Sequence, residues 1–262
     1  MSTVVFLGGG RITSAILAGL RRANTKHRLV VHDRNPGKLR DLKKRYTVAV
    51  EPDLNAAVMQ ADMLVIAVRP GSVRDLLSSL NKTKRAGLAV SLAAGVPLRV
   101  IGKLAGPPWR WARAMPSPVS RTGCGLTAVT FPRVLPMTDR NRVRDLFAAV
   151  GHVVEIPESK FDAFTVTYSC THGYHALEAL AQAAHGAGLD RKTALLASAH
   201  ALADGIIAWR EGRDSLEALL AEAATPGGIA AAAATAMESA GYKRAVEKGV
   251  AAGLRRARRN AE

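Results

Sequence analysis

The beginning of the chain limits its fold more than any other segment. Thr3 to Leu7 is an apolar, largely β-branched run, Gly8-Gly9-Gly10-Arg11-Ile12-Thr13 follows at once, and Ile12, Ile16 and Leu20 then recur at helical spacing. A strand that turns through glycines into a helix brings free backbone N–H groups and the positive end of a helix dipole to one place, where a pyrophosphate can be held. Gly8, Gly9, Gly10, Arg11 and Ile12 are therefore candidate contacts to a dinucleotide. The usual fingerprint has a third glycine where this chain has Thr13, so the motif argues through its placement. A tight strand-to-helix turn that binds nothing is the competing reading.

The first half continues the alternation. Short apolar runs at residues 28–32, 63–68, 88–92, 126–131 and 152–156 read as further strands, nearly all apolar as strands buried on both faces must be. Between them lie helical stretches, with Asp53 placed to cap residues 54–60 and Thr138 to cap residues 139–150. After Ile156 no strand pattern recurs. The sequence becomes rich in Ala and Leu at i, i+3 and i+4, and glycines at 186, 188, 205 and 212, with the turn Thr225-Pro226-Gly227-Gly228, divide it into about five helices. The expected fold class is α/β: an N-terminal Rossmann-type parallel-sheet domain over residues 1–158, then an all-α domain over residues 159–262.

Bulk properties exclude some roles. The longest apolar stretches are short, interrupted by glycine or rich in alanine, so no membrane-spanning helix is expected, and the first residues lack the plan of a secretory leader. A cytoplasmic location is expected. Cys124 and Cys170 are too few for a disulfide framework and lack metal-binding spacing, so no metal is expected. The formal charge of +16, from 37 Lys and Arg against 21 Asp and Glu, would attract a polyanion. The basic residues are scattered, however, and the one dense cluster, Arg255, Arg256, Arg258 and Arg259, reads as a solvated last helical turn. No nucleic-acid partner is expected.

The second strand ends at His32-Asp33-Arg34-Asn35. An acidic residue here ordinarily binds the ribose hydroxyls of NAD, but Arg34, Asn35 and Lys38 offer two charges and an amide to a 2′-phosphate. NADP is the expected cofactor, with NAD second. The competing reading makes Arg34 and Lys38 solvated helix-start residues.

Longer matches point to a family. Val65-Ile66-Ala67-Val68-Arg69-Pro70 and Ser91-Leu92-Ala93-Ala94-Gly95-Val96 resemble two segments of pyrroline-5-carboxylate reductases, the first with Arg69 in place of a lysine. Arg113-Ala114-Met115-Pro116-Ser117 is similar to that family's Arg-x-Met-Pro-Asn, and Gly123-Cys124-Gly125 to its Gly-Glu-Gly. Asp162-Ala163-Phe164-Thr165, Thr225-Pro226-Gly227-Gly228 and the closing residues 238–243 have counterparts too. The resemblance implies that Ala67, Val68, Arg69, Pro70, Ala94, Gly95, Met115 and Ser117 line the cofactor, small residues at 94 and 95 letting it approach the backbone. It also implies an interlocked homodimer or higher homo-oligomer built on the helical half. The apolar stripes through Leu177, Leu180, Ala181 and Ala184 and through Leu195, Leu196, Ala199, Leu202 and Ala203 suit that arrangement. They would equally fill an intramolecular core.

The departures from the family cluster where it binds substrate. Its Ser-Pro-Gly-Gly-Thr-Thr becomes Thr225-Pro226-Gly227-Gly228-Ile229-Ala230, so two hydroxyls are missing. Gly227 and Gly228 retain N–H groups for a substrate carboxylate, and Thr225 is the remaining hydroxyl and the catalytic candidate, with helix capping as its alternative role. Residues 167–175 replace small residues by large ones and fit the family in two registers. Tyr168 and His172 are candidate substrate contacts there, and His172 with His175 is either an acid pair or an ordinary helix start. The expected activity is NADPH-dependent reduction of a small-molecule cyclic imine acid, by resemblance pyrroline-5-carboxylate to proline. A related imine or carbonyl reductase with another substrate, and a cofactor-binding member without catalysis, are the alternatives.

Overall fold

A computed structural model describes residues 2–80 and 85–261. Eight strands form one sheet: β1 (Thr3–Leu7), β2 (Arg28–His32), β3 (Ala49–Val50), β4 (Met63–Ile66), β5 (Gly87–Ser91), β6 (Trp109–Met115), β7 (Gly125–Thr130) and β8 (Gly151–Glu155). Their spatial order is β3-β2-β1-β4-β5-β6-β7-β8. β1 lies between β2 and β4, so the connections leave it in opposite directions and open a crevice at the carboxyl ends of the strands. The sheet is parallel through β6, β7 pairs antiparallel with β6, and β8 follows β7 in parallel.

The strands are apolar on both faces because both are covered. Val4 and Phe6 of β1 and Met63 and Val65 of β4 join one core cluster, while Val5, Leu7, Leu64 and Ile66 join the other. The first cluster takes Ile16, Leu17 and Leu20 from α1 (Arg11–Arg22), Leu39 and Leu42 from α2 (Pro36–Tyr46), and Val143, Leu146 and Phe147 from α6 (Met137–Ala148). The second takes Ala57 and Val58 from α3 (Leu54–Met59), Leu77 and Leu80 from α4 (Val73–Leu80), and Ile101 and Ala105 from α5 (Leu98–Ala105). Each Val, Leu, Ile, Phe or Met among them contributes about 1.5–3 kcal/mol on burial.

Asp53 caps α3 as expected, accepting the Ala56 N–H at 2.7 Å. Three readings need correction. α6 begins at Met137 after Pro136, so Thr138 lies inside the first turn and caps nothing. Trp109–Met115 is a strand that the apolar pattern misses, because Arg110 and Arg113 interrupt it. Gly205 breaks no helix but lies within α9 (Arg191–Glu211).

From residue 158 onward the described residues are helical, forming α7 (Glu158–Thr167), α8 (Cys170–Gly186), α9, α10 (Leu216–Ala223), α11 (Ile229–Ser239) and α12 (Tyr242–Asn260). Packing divides the chain into two units. One holds the sheet, the chain through Tyr168 and its last turns from Gly253 onward; the other is Ser169–Ala252. The division falls beyond residues 157–160 because α7 packs on β7 and the end of α12 returns to the first unit. No helix among the described residues is long and apolar enough to cross a membrane.

Candidate cofactor and substrate sites

The carboxyl ends of β1, β4, β5 and β6 bring Gly8 to Ile12, Ala67 to Pro70, Ala94, Gly95, Met115 and Ser117 to one edge of the sheet. Gly8 has φ +112°, and a Cβ there would lie 2.6 Å from the Ala67 carbonyl oxygen, so only glycine fits. Thr13, in the third-glycine position, is fully buried and donates its hydroxyl to the Gly8 carbonyl at 2.5 Å. The turn is therefore fixed from within. Gly10 is the N-cap of α1 with no side-chain cap and no acid in the first turn, and the space above it is open. Unsatisfied N–H groups at an open helix start fit a pyrophosphate. Ile12 packs its side chain against the core, so its backbone rather than its side chain is what the site can use.

Asp33 is half of a lock on this turn. Its Oδ2 accepts the Gly9 N–H at 2.7 Å, its Oδ1 accepts the Asn35 N–H at 2.8 Å, and Lys38 Nζ stands 3.5 Å away. Partial burial pushes the Asp33 carboxyl up, but the hydrogen bonds from Asn35 and Gly9 and the nearby Lys38 ammonium outweigh it and hold it below the ordinary aspartate range. Asn35 caps α2, its Oδ1 accepting from Gly37 and Lys38 N–H at 2.9 and 3.2 Å, which leaves its NH2 as donor. Arg34 is exposed. A cavity lined by Gly9, Gly10, Arg11, Ser14, Lys38 and Arg45 continues from the turn between α1 and α2.

On the other side of the edge, Arg69 is exposed and precedes a 3-10 turn at Pro70–Ser72. Gly95 has φ +76°, and the space a Cβ would take is filled by the Ala257 carbonyl oxygen, 2.3 Å away. The missing side chain at 95 thus makes room for the end of α12. Ser117 is buried, accepts the Val119 N–H at 3.2 Å and donates to the Tyr168 hydroxyl at 3.2 Å; that hydroxyl also accepts the Leu126 N–H at 2.6 Å. The fold thus brings Ser117 and Tyr168 together, each engaged within the protein.

Sequence reasoning overlooked the roles of Thr13, Arg113 and Asn260. Arg113 is 1% exposed, 3.3 Å from Glu158 and 3.5 Å from Asp162, with its guanidinium 4.3 Å from the Phe161 ring centroid. Glu158 also accepts the Leu98 N–H at 2.6 Å, so this cluster pins the start of α7 to β6 and α5. No signal in the sequence marked it, because the strand that carries Arg113 was itself missed.

The remaining candidates lie in the helical unit. Thr225 is exposed and caps nothing: α11 has Gly228 as its N-cap with no side-chain cap. The Gly228 N–H donates to the Thr225 carbonyl at 2.9 Å. The Gly228 N–H is thus engaged within the turn, and the Ile229 and Ala230 N–H groups at the helix start have no helical partners. His172 and His175 are exposed in the first turns of α8, and His175 Nδ1 lies 3.9 Å from Glu178. Among the described residues no cluster of three His, Cys, Asp or Glu side chains could hold a metal.

Comparison with known proteins agrees along the whole length. Residues 3–95 match a family described as NADP oxidoreductase, coenzyme F420-dependent, and residues 158–260 match one described as pyrroline-5-carboxylate reductase dimerisation. The chain is 31% identical over 254 residues to a pyrroline-5-carboxylate reductase of Synechocystis sp., covering 95% of each. A pyrroline-5-carboxylate reductase structure from Coxiella burnetii is 26% identical with a TM-score of 0.87, covering 100% of this chain and 99% of that one. The Plasmodium falciparum pyrroline carboxylate reductase, solved with NADP bound, shares the fold at a TM-score of 0.90 and 22% identity, covering 100% and 98%.

Proposed function

The chain belongs to the pyrroline-5-carboxylate reductase family, and from that premise we propose that it reduces pyrroline-5-carboxylate to proline with NADPH. The observation that carries the reading is the open, uncapped start of α1 beneath a glycine turn that admits no side chain, at the switch point of the sheet. The bound nicotinamide supplies the hydride, which adds to the imine carbon while a proton reaches the nitrogen, so that C=N becomes CH–NH and NADPH becomes NADP+. The protein's share is alignment and exclusion of water. The first N–H groups of α1 hold the pyrophosphate, Arg34 and Lys38 meet the 2′-phosphate, and Ala67 to Pro70, Ala94, Met115 and Ser117 border the nicotinamide end. The uncapped start of α11 takes the substrate carboxylate, with the Thr225 hydroxyl beside it as proton donor to the imine nitrogen; Tyr168 and His172 flank the substrate.

The helical half makes a homodimer, supported by its match to a dimerisation family and by its exposed Leu195, Leu196, Ile206 and Ile207. We place the nucleotide-binding domain at residues 1–158, the dimerisation and substrate domain at 159–262, and the protein in the cytoplasm. A second reading, another cyclic imine acid as substrate, is favoured by Ile229 and Ala230 at the start of α11. NADPH oxidation followed at equal concentrations of pyrroline-5-carboxylate, its six-membered homologue and open-chain keto acids tests both. Turnover with the five-membered imine alone supports the first reading, a larger rate with the homologue supports the second, and no oxidation with any of them overturns both.

A further inference from the structure

The last two turns of α12 end against the turn that follows β5. Gly253, Ala257 and Asn260 stand at i, i+4 and i+7 and so share one face of the helix. That face is packed along its length. A Cβ on Gly253 would come within 2.6 Å of Val166 Cγ1 in α7, and Ala257 is 5% exposed with its carbonyl oxygen against Gly95. Asn260 Nδ2 donates to the Ala94 carbonyl oxygen at 3.1 Å. Arg255, Arg256, Arg258 and Arg259, on the other faces, are exposed.

The turn so held has weak bonds of its own. Val96 N–H reaches the Ala93 carbonyl at 3.5 Å, and Ala93 N–H reaches the Ser91 hydroxyl at 3.3 Å, both at the long end of hydrogen bonding. Its place in the sheet gives it a task. β5 is two strands from β1 on the side away from β2, hence about 10 Å along the crevice from the glycine turn. A dinucleotide whose adenosine lies over β2 and whose pyrophosphate lies at β1 extends its other half over the ends of β4 and β5.

We propose that Asn260 is a positioning residue for the reduction, its amide holding the Ala94 carbonyl so that the Ala93, Ala94 and Gly95 turn presents a fixed wall to the nicotinamide half of the cofactor. The inference rests on the cofactor reading above. It assigns the end of α12 an effect on one half of NADPH and none on the other.

Asn260→Asp keeps the shape but replaces the donor by a carboxylate that repels the Ala94 carbonyl, so it tests the polar contact rather than the packing; Asn260→Gln, with a longer amide, tests recovery. Calorimetric titration of the full chain with NADPH and with adenosine 2′,5′-bisphosphate separates the two halves. Losing one neutral hydrogen bond at a partly buried site corresponds to about fivefold. Expected for Asn260→Asp are NADPH binding about fivefold weaker, unchanged adenosine bisphosphate binding, a kcat reduced by more than KM for the imine rises, and partial recovery with Asn260→Gln. Equal weakening of both ligands, or a melting temperature lowered with both affinities unchanged, makes Asn260 a merely structural residue and overturns the proposal. NADPH bound alike by unmodified and Asn260→Asp protein overturns this inference alone, whereas no NADPH binding by the unmodified protein overturns the cofactor reading and this inference with it.

Discussion

The two units bury their apolar residues in opposite ways. In the sheet unit Val4, Val5, Phe6 and Leu7 are wholly buried, α1 and α6 covering Val4 and Phe6 on one face and α3, α4 and α5 covering Val5 and Leu7 on the other. In the helical unit α8, α10 and α11 have no buried residue, while Leu196 is 58%, Leu220 62% and Ile229 93% exposed. The sheet unit is a finished core, whereas the exposed apolar residues of the helical unit, which matches a dimerisation family, suit contact with a further copy of the chain. Destabilising the first damages a fold, and altering the second damages an assembly.

The largest effect tests that distinction directly. Light scattering is expected to give about twice the 27.7 kDa chain mass, and Leu196→Glu with Ile206→Glu to return single chains, because two buried unpaired charges cost several kcal/mol in an interface. A single-chain mass for the unmodified protein at micromolar concentration would erase the contrast. Next, Gly8→Ala forces a side chain into the Ala67 carbonyl at positive φ and is expected to cost about 2–4 kcal/mol on thermal denaturation. Gly205→Ala in α9 meets nothing within 4 Å and is expected to stabilise by up to about 1 kcal/mol.

Arg34→Ala removes a charge-assisted contact and is expected to reduce the preference for NADPH over NADH by roughly ten- to a hundredfold. Equal affinities in the unmodified protein would refute that assignment. Ile229→Thr with Ala230→Thr restores hydroxyls at the start of α11 and is expected to raise kcat/KM for pyrroline-5-carboxylate about three- to tenfold, worth about one hydrogen bond. Brisk turnover without them would show that the helix start suffices.

The smallest effect is acid sensitivity at the glycine turn. The Asp33 carboxyl is held below its ordinary value when folded, so its contribution is complete above the unfolded value of about 3.9 and is lost as pH falls through the lower folded value. Urea melts from pH 6 to pH 2 should show the advantage over Asp33→Asn shrinking only below about pH 4. A constant difference would mean that its charge is immaterial.

Much of the site was legible because its signals are local. The glycine turn, the apolar strands and the basic end of β2 each lie within a few residues, and all appear where the pattern placed them. Other relations are invisible until the chain has folded. Ser117 and Tyr168 are 51 residues apart, and nothing in either segment announces their bond. Nor does the sequence at Thr225 reveal that Gly228, not Thr225, caps α11.

By itself the sequence determined a doubly wound sheet, a helical second half and the start of a dinucleotide site, since side-chain periodicity and glycine's freedom at positive φ act over one turn or one strand. Tertiary structure alone decided that Trp109–Met115 is a strand and that the chain's end returns to β5. Arg113 becomes tolerable in the interior only once Glu158 and Asp162 supply opposite charges from α7 and Phe161 an aromatic face. Gly95 accepts a helix only because Ala257, 162 residues later, arrives against it. Burial of charge and close backbone approach are properties of pairs, and such pairs exist only after the chain has closed on itself.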